Sequence, residues 1–258
     1  MNYIGIDIGS TCAKTVVLNE KKELILEFVQ PTGWSSVDTA EEIRQKLELS
    51  GINLSDDSSC CVATGYGRIS VPYADKTVTE ITCHALGAVH LFQHPDLTVI
   101  DIGGQDTKII QIEQGFVKDF IMNDKCAAGT GRFLEVMANT LSLRPNEMFD
   151  LARLGSDTTI SSMCTVFAES EVIGLIGKGD PKENIAYAVV NSTIRKVAAQ
   201  VSRMNGEMFT FCLTGGLCEC DYIREALSKE LGKDVFSCPD ARYAGAIGAA
   251  ISAMKVRR

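Results

Sequence analysis

A pattern that occurs twice in the chain, at positions about ninety residues apart, constrains its fold more than any other feature. The segment IGIDIGSTCAKTVVL (residues 4–18) aligns with TVIDIGGQDTKIIQI (residues 98–112), so that Asp7 matches Asp101. Each copy has an apolar run, an Asp, a glycine turn and a following Lys. Since a repeated supersecondary unit folds in the same way each time, the chain is expected to form two similar lobes.

Strand and helix patterns alternate after both copies of the repeat. In the first half these are the helix DTAEEIRQKLELS, ended by Gly51, the buried strand SCCVATG and the helix TEITCHALGAVHLF. In the second half, a helix is predicted from about Gly129, followed by PNEMFDLARLG, the long NIAYAVVNSTIRKVAAQVSRM, the strand FTFCLTGG and the helix CDYIREALSKELG. This alternation is typical of α/β architecture.

The expected domains follow from the repeat. The first lobe is predicted over residues 1–95 and the second over residues 96–241. The small-residue segment ARYAGAIGAAISAMK predicts a C-terminal helix, 242–258, that joins the first lobe and packs closely against a neighbour.

Composition excludes several classes of function. The net charge is −8 and there is no run of Lys or Arg, which argues against a nucleic-acid surface. No apolar run approaches the ~20 residues that a membrane helix needs. The strand-like YIGIDIG at the N-terminus differs from a signal peptide. We therefore expect a cytoplasmic protein that binds neither nucleic acid nor membrane.

The paired Asp-Gly turns predict phosphate chemistry. Glycine lets the backbone approach an anion closely, and successive amides form a concave site for phosphate oxygens. Asp7 and Asp101 could hold Mg²⁺, mostly through water. Lys14 could neutralise phosphate charge, and Gln105 could orient a water on the γ-phosphate. The chain has neither a Walker A pattern nor a G-x-G-x-x-G after a strand, which argues against P-loop and Rossmann sites.

The predicted catalytic residues are Asp7, Asp101 and Gln105. A further glycine pair, Gly215-Gly216, ends a strand where the backbone could pass under an adenine or a ribose. The predicted nucleotide-binding set is Gly9, Ser10, Thr11, Lys14, Gly103, Gly104, Gln105, Asp106, Gly129, Thr130, Gly131, Gly215 and Gly216.

Ten cysteines are many for such a chain, and in a reducing compartment they do not indicate a disulfide framework. Those in strand or helix contexts are interpreted as structural: Cys12, Cys60, Cys61 and Cys83. A second group near the C-terminus could form a metal site, although incidental thiols are the favoured interpretation: Cys212, Cys218 and Cys220. The three histidines are interpreted as surface or packing residues: His84, His90 and His94.

Several motifs together resemble a known family. The order of two phosphate turns and a late Thr-Gly-Gly is similar to that of the actin, sugar kinase and heat-shock chaperone ATPase superfamily. Within it, GIDIGST, TGYGR, DIGGQDTK, NDKCAAGTGRFLEVMA and CTVFAESEVI resemble the activator ATPases of 2-hydroxyacyl-CoA dehydratases, which form one family with the benzoyl-CoA reductase ATPase subunits. The resemblance covers nearly the whole chain. It implies two ribonuclease H-like lobes with a nucleotide in the cleft between them.

The resemblance also implies a redox cofactor. Members of the family are homodimers with one [4Fe-4S] cluster that bridges the subunits, and they use ATP to drive a low-potential electron into a dehydratase-type iron-sulfur partner. By motif the ligands here are Cys126 and Cys164. The implied cofactors are the cluster, ATP or ADP, and Mg²⁺. The implied electron donor is a ferredoxin or flavodoxin, and the bridging cluster implies sensitivity to oxygen.

The surroundings of Cys126 fit this interpretation. The cysteine comes before a predicted helix whose N-terminal amides favour an anionic thiolate-bound cluster. Gly129-Thr130-Gly131 lies in the same turn, where its amides could sense nucleotide phosphates.

Other functions stay open at this point. One alternative is a small-molecule kinase of the amino-sugar type, with Asp106 as the base beside an acceptor pocket. Others are the ATPase component of a benzoyl-CoA reductase-like enzyme and a regulatory or chaperone-like ATPase without a redox role. The two cysteine motifs have no use in a kinase, so they separate the first alternative from the activator.

Overall fold

Two five-stranded sheets with the same strand order form the framework of the computed structural model, which describes residues 1–54, 58–162, 164–205 and 209–256. The first sheet has the order β3-β2-β1-β4-β5 and the second, read from its opposite edge, the order β8-β7-β6-β9-β10. Each strand of the repeat thus has a counterpart in the other sheet. The expectation of an α/β fold with two similar lobes is confirmed.

The strands of the first sheet are β1 (Asn2–Ile8), β2 (Cys12–Leu18), β3 (Leu24–Pro31), β4 (Ser59–Thr64) and β5 (Lys76–Thr77). The strands of the second sheet are β6 (Leu97–Ile102), β7 (Thr107–Glu113), β8 (Phe116–Asn123), β9 (Thr210–Gly215) and β10 (Val235–Phe236). Strands β4 and β6 are buried along their whole length, which fits their largely apolar sequences, SCCVAT and LTVIDI.

The helices alternate with these strands. They are α1 (Ser36–Leu49), α2 (Glu80–Phe92), α3 (Gly131–Thr140), α4 (Pro145–Ala152), α5 (Thr165–Lys178), α6 (Lys182–Val201), α7 (Asp221–Leu231) and α8 (Ala244–Ala253). Within the described ranges, no helix has both the length and the apolar character needed to cross a membrane.

The chain divides into two units, which are described separately. The first unit contains Met1–Leu97, Ile110–Lys118 and Cys238–Arg258, and the second contains Thr98–Ile109 and Asp119–Ser237. The strand register in the first unit places the predicted site. Strand β1 pairs antiparallel with β2 and parallel with β4, so that Asp7 lies opposite both Lys14 and Thr64.

Helix α1 begins two residues earlier than its sequence pattern indicates. The Ser35 hydroxyl accepts a hydrogen bond from the Asp38 N–H at 3.2 Å, which caps the helix N-terminus. The helix ends at Leu49, and Gly51 follows in a left-handed conformation at φ +79°.

Helix α8 packs closely against its neighbours, as its small residues predict. A Cβ built on Gly248 would lie 1.8 Å from the Cys83 carbonyl oxygen of α2, and one built on Gly5 of β1 would lie 1.9 Å from the Ala246 carbonyl oxygen. Side chains at these positions would force the backbones apart, so glycine is required for the contact. The residues before α8 form a separate 3₁₀ turn, Pro239–Tyr243, instead of continuing the helix.

Candidate functional site

The first Asp-Gly turn joins β1 to β2 in the first unit. Asp7 is buried at the end of β1. Gly65, just after β4, has φ +83°, and a Cβ at this position would lie 2.4 Å from Asp7 Oδ1 and 2.5 Å from the Ile8 carbonyl oxygen. Only glycine fits here, for both the backbone conformation and the space. The turn therefore brings two stretches of backbone together around one carboxylate.

The second Asp-Gly turn repeats this geometry in the second unit. Asp101 is buried at the end of β6, and Gly215 at the end of β9 has φ +85°. A Cβ on Gly215 would lie 2.8 Å from Asp101 Oδ1 and 2.5 Å from the Ile102 carbonyl oxygen. Gly215 is therefore the structural counterpart of Gly65. The sequence shows this correspondence in the shared Thr-Gly at the ends of VATG and CLTG, but the pairing with the Asp turns only becomes visible in three dimensions.

A buried lysine holds the second turn, a role that the sequence did not reveal. Lys108 is 1% exposed, and its Nζ lies 2.8 Å from Asp106 Oδ2 and 3.4 Å from Asp101 Oδ2. The Thr214 hydroxyl donates to Asp101 Oδ1 at 2.8 Å. Asp101 is thus oriented by a cation and a hydroxyl donor.

A buried histidine faces the first turn. His84 is 2% exposed, and its Nε2 lies 3.7 Å from Glu80 Oε1. A Cβ built on Gly245 would lie 2.5 Å from Asp7 Oδ2 and 2.9 Å from His84 Nε2, so these two atoms face the same small space. His84 is thus buried beside a predicted catalytic carboxylate. Its position on α2 gave no signal of this, because the contact depends on α8.

The remaining predicted nucleotide residues lie in or beside the two turns. In the first unit, Ser10 and Thr11 are exposed while Gly9 and Lys14 are half-buried. In the second unit, Gln105 is exposed. The half-buried residues of the second turn are Gly103, Gly104 and Asp106, and the pair after β9 is the buried Gly215 and the exposed Gly216.

The Cys126 segment is attached to the second turn by its own backbone. The Gly131 N–H donates to the Gly103 carbonyl at 2.9 Å, and the Arg132 N–H donates to the Gly104 carbonyl at 2.7 Å. The Thr130 N–H donates to the Ala127 carbonyl at 3.0 Å. Two of the amides expected to sense phosphate therefore have partners within the chain. The Gly131 and Arg132 amides attach the segment to the turn.

The two cysteine motifs differ in their relation to helices. Helix α3 begins at Gly131, five residues after Cys126, so this thiol lies in a loop and not at the helix end. Cys164 is itself the N-cap residue of α5. The electropositive helix terminus expected beside Cys126 therefore lies beside Cys164 instead.

Exposure separates these two cysteines from the other eight. Cys126 and Cys164 are exposed, whereas the others are buried or half-buried. Burial raises the pKa of Cys83 to about 12 and also raises that of Cys220. Thiols of this kind stay protonated and are poor metal ligands. Among the residues that the structure describes, no three cysteines lie close enough together to share one metal ion.

A carboxylate anchors the segment that leads to Cys164. Glu171 accepts hydrogen bonds from the backbone N–H groups of Ser161 and Ser162, each at 3.1 Å. Burial raises the pKa of Glu171, but these hydrogen bonds outweigh it and hold the pKa below its ordinary value. Glu171 belongs to the motif CTVFAESEVI, and the sequence gave no reason for its presence there.

The two lobes with repeated Asp-Gly turns define a protein of the actin-like ATPase class. More specifically, the chain belongs to the BadF/BadG/BcrA/BcrD ATPase family, whose pattern it matches over residues 4–253. It is 42% identical over 257 residues to the (R)-2-hydroxyglutaryl-CoA dehydratase activating ATPase of Acidaminococcus fermentans, covering 98% of this chain and 96% of the relative.

Solved structures agree with this assignment. The crystal structure of the Acidaminococcus fermentans (R)-2-hydroxyglutaryl-CoA dehydratase component A is similar with a TM-score of 0.91 and 40% identity, covering 99% of this chain and 98% of that one. The activator of the 2-hydroxyisocaproyl-CoA dehydratase from Clostridium difficile, with bound ADPNP, has a TM-score of 0.88 and 33% identity, covering 100% and 99%. The family resemblance and the fold class expected from the sequence are confirmed.

Proposed function

We propose that this protein is an ATP-dependent activator that passes a low-potential electron from a [4Fe-4S] cluster to a 2-hydroxyacyl-CoA dehydratase-type partner. The observation that carries the proposal is the exposure of two cysteines out of ten, Cys126 and Cys164. A cluster shared between subunits needs thiolates at the surface, because each chain supplies half of a four-thiolate set. When bound, the cluster supplies one-electron transfer at a potential that its surroundings set.

An exposed apolar face next to Cys164 supports a homodimer. Helix α5 packs inward through Ala168 and Val172. Its outer surface carries large apolar side chains that are exposed: Val166, Phe167, Ile173 and Ile176. The glycines Gly174 and Gly177 on the same helix have open space beside them. A helix with small and apolar exposed residues that begins at a predicted ligand fits a symmetric contact with a second copy.

The two Asp-Gly turns supply the nucleotide chemistry in this proposal. Asp7 and Asp101 organise Mg²⁺ through water, and Lys14 and the turn amides bind phosphate oxygens. Gln105, exposed in the second turn, orients the water that attacks the γ-phosphate. The bound ADPNP in the Clostridium difficile relative supports a triphosphate site in this family.

The choice of partner rests on the relatives. Those named above are a dehydratase activating ATPase, a dehydratase component and a dehydratase activator. A dehydratase partner is therefore favoured over a benzoyl-CoA reductase-like enzyme, although one of the subunits of the Thauera aromatica benzoyl-CoA reductase is also 29% identical to this chain. A ferredoxin or flavodoxin supplies the electron in this proposal. A kinase function leaves the two exposed thiols without a role.

Single cysteine variants test the proposal directly. Cys126→Ser and Cys164→Ser, purified without oxygen, should lose the cluster and keep nucleotide binding, since the Asp-Gly turns do not use those sulfurs. Wild-type protein should contain about four irons and four sulfides per dimer. Cys220→Ser is the matched control, because Cys220 is another helix N-cap thiol but half-buried. Loss of iron from the control, with Cys126→Ser unaffected, would contradict the assignment.

A further inference from the structure

A set of three hydrogen bonds joins the second Asp-Gly turn to the Cys126 segment. The carbonyls of Gly103 and Gly104 accept from the first amides of α3. In addition, the Thr107 hydroxyl donates to the Gly129 carbonyl at 2.6 Å. Thr107 is fully buried at the start of β7. The contacts on the turn are made by residues within it and by the residue that follows it. On the cysteine segment they are made at both ends of the Gly-Thr-Gly, residues 129–131.

We propose that the Thr107 hydroxyl is a positioning group that transmits the nucleotide state of the turn at 101–106 to Cys126. The inference rests on the proposed function, because it takes this turn to bind nucleotide. Thr107 follows the turn directly, and Gly129 follows Cys126 by three residues. A shift of the turn therefore acts on the cysteine segment through one side chain and two backbone contacts, with no flexible linker between them.

The geometry of the Cys126 segment makes it responsive to such a shift. The Asn123 amide donates to the carbonyls of Cys126 at 2.9 Å and Ala128 at 3.0 Å, so one side chain closes the loop that carries the cysteine. Gly129 is left-handed at φ +85°, and a Cβ there would lie 2.8 Å from Lys196 Cγ of α6. The loop is thus restrained by α6 on one side and by Thr107 on the other. Without the Thr107 contact, the Gly129 end of the loop loses its side-chain tie to the turn.

The alkylation rate of Cys126 measures this coupling without any cluster. Cluster-free, full-length protein is treated with iodoacetamide with and without Mg-ADPNP, and the Cys126 peptide is quantified by mass spectrometry. In wild type the nucleotide should change the alkylation rate of Cys126 by about fivefold. This is the change in an equilibrium constant that the net free energy of one hydrogen bond produces. Thr107→Val keeps the side-chain shape and lacks the hydroxyl, so the change should fall well below that of wild type, with only the two backbone contacts left to carry it, while nucleotide affinity stays within about twofold.

Two further variants control the experiment. Thr107→Ser retains the hydroxyl and should restore the nucleotide response. Thr140→Val removes a hydroxyl from α3 that donates to the Val136 carbonyl and to Glu169, away from the turn, and should respond as wild type does. If Thr107→Val fails to fold, hydrogen exchange on wild type decides the matter. Nucleotide should change the exchange rate of the Gly131 and Arg132 amides, and unchanged exchange would refute the coupling.

The outcomes separate this inference from the proposed function. Calorimetry on the same samples measures nucleotide binding, and a wild type that binds no nucleotide overturns the proposed function. A wild type that binds nucleotide with no change at Cys126 overturns only the coupling. A Thr107→Val variant that binds nucleotide and responds as wild type does also overturns the role of Thr107.

Discussion

Replacing Lys108 by Met tests whether the buried ion-paired cluster holds the second Asp-Gly turn. Met fills a similar volume but removes the cation that lies 2.8 Å from Asp106 and 3.4 Å from Asp101. The Asp101 side chain is 3% exposed, so its charge cannot turn to water, whereas Asp106 is 28% exposed and can. Removing one partner of a buried pair costs about 3–5 kcal/mol. Because Asp106 can turn to water and Asp101 keeps the Thr214 hydroxyl as a donor, we expect a loss near the lower end, about 3 kcal/mol.

Thermal unfolding followed by circular dichroism measures the loss. For a unit of this size, each kcal/mol lowers Tm by about 2–4 °C, so Lys108→Met should melt roughly 6–12 °C below wild type. Lys118→Met is the control, because Lys118 and Glu113 form an ion pair between side chains that are both more than 40% exposed. An exposed pair of this kind contributes less than about 1 kcal/mol.

A second substitution distinguishes charge from packing. Adding Asp101→Asn to Lys108→Met removes the buried negative charge that has lost its cation and keeps an acceptor for the Thr214 hydroxyl. Part of the lost stability should therefore return. A Lys108→Met protein that melts within about 2 °C of wild type would refute the reasoning, because the Lys108 cation would then contribute little to the stability of the buried Asp101. The burial of Asp101 also means that Asn is a safer probe of its catalytic role than Ala, which would empty the site.

Two other substitutions probe the cysteine segment and the helix packing. Glu171→Gln should weaken the hydrogen bonds that hold Ser161 and Ser162, so the iron-loaded protein should lose iron to a chelator faster than wild type. The control is Glu169→Gln, which changes a neighbouring carboxylate on α5 and should lose iron at the wild-type rate. Gly248→Ala should destabilise the first unit by about 1–3 kcal/mol in denaturant unfolding, because its Cβ would lie 1.8 Å from a carbonyl oxygen. Gly177→Ala is the control, because a Cβ there has open space around it and should not lower stability.

The repeat and the order of elements could be predicted from sequence because their signals are local. An apolar run that ends in Asp-x-Gly specifies a buried strand and its turn without reference to the rest of the chain. Helix α1 carries its own cap at Ser35 and its own stop at Gly51. The two-residue strands β5 and β10 escaped prediction because so short a segment has no periodicity to detect.

The contacts within the candidate site could not be predicted, because they join residues far apart in sequence. Thr214 and Asp101 are 113 residues apart, and only the pairing of their strands brings them together. His84 lies beside Asp7 because α8, from the other end of the chain, packs against α2. The alignment of the two copies of the repeat shows that Lys14 matches Lys108. It does not show that Lys108 is fully buried and Lys14 half-buried, because their burial depends on the segments that cover each sheet.

The two units differ in the connection from their third strand to the next helix. In the first unit the third strand ends at Pro31 and the next helix begins at Ser36, whereas in the second unit the third strand ends at Asn123 and the helix begins at Gly131.

Both connections contact the matching glycine carbonyl of the preceding turn, but with different donors. The Thr32 hydroxyl donates to the Gly9 carbonyl at 2.7 Å, and the Gly131 N–H donates to the matching Gly103 carbonyl at 2.9 Å. The second connection has seven residues between strand and helix where the first has four, and Cys126 lies within it. Cys126 is exposed, and its segment contacts the turn through the Gly131 amide, so under the proposed coupling a shift of the turn reaches an exposed thiol through this longer connection.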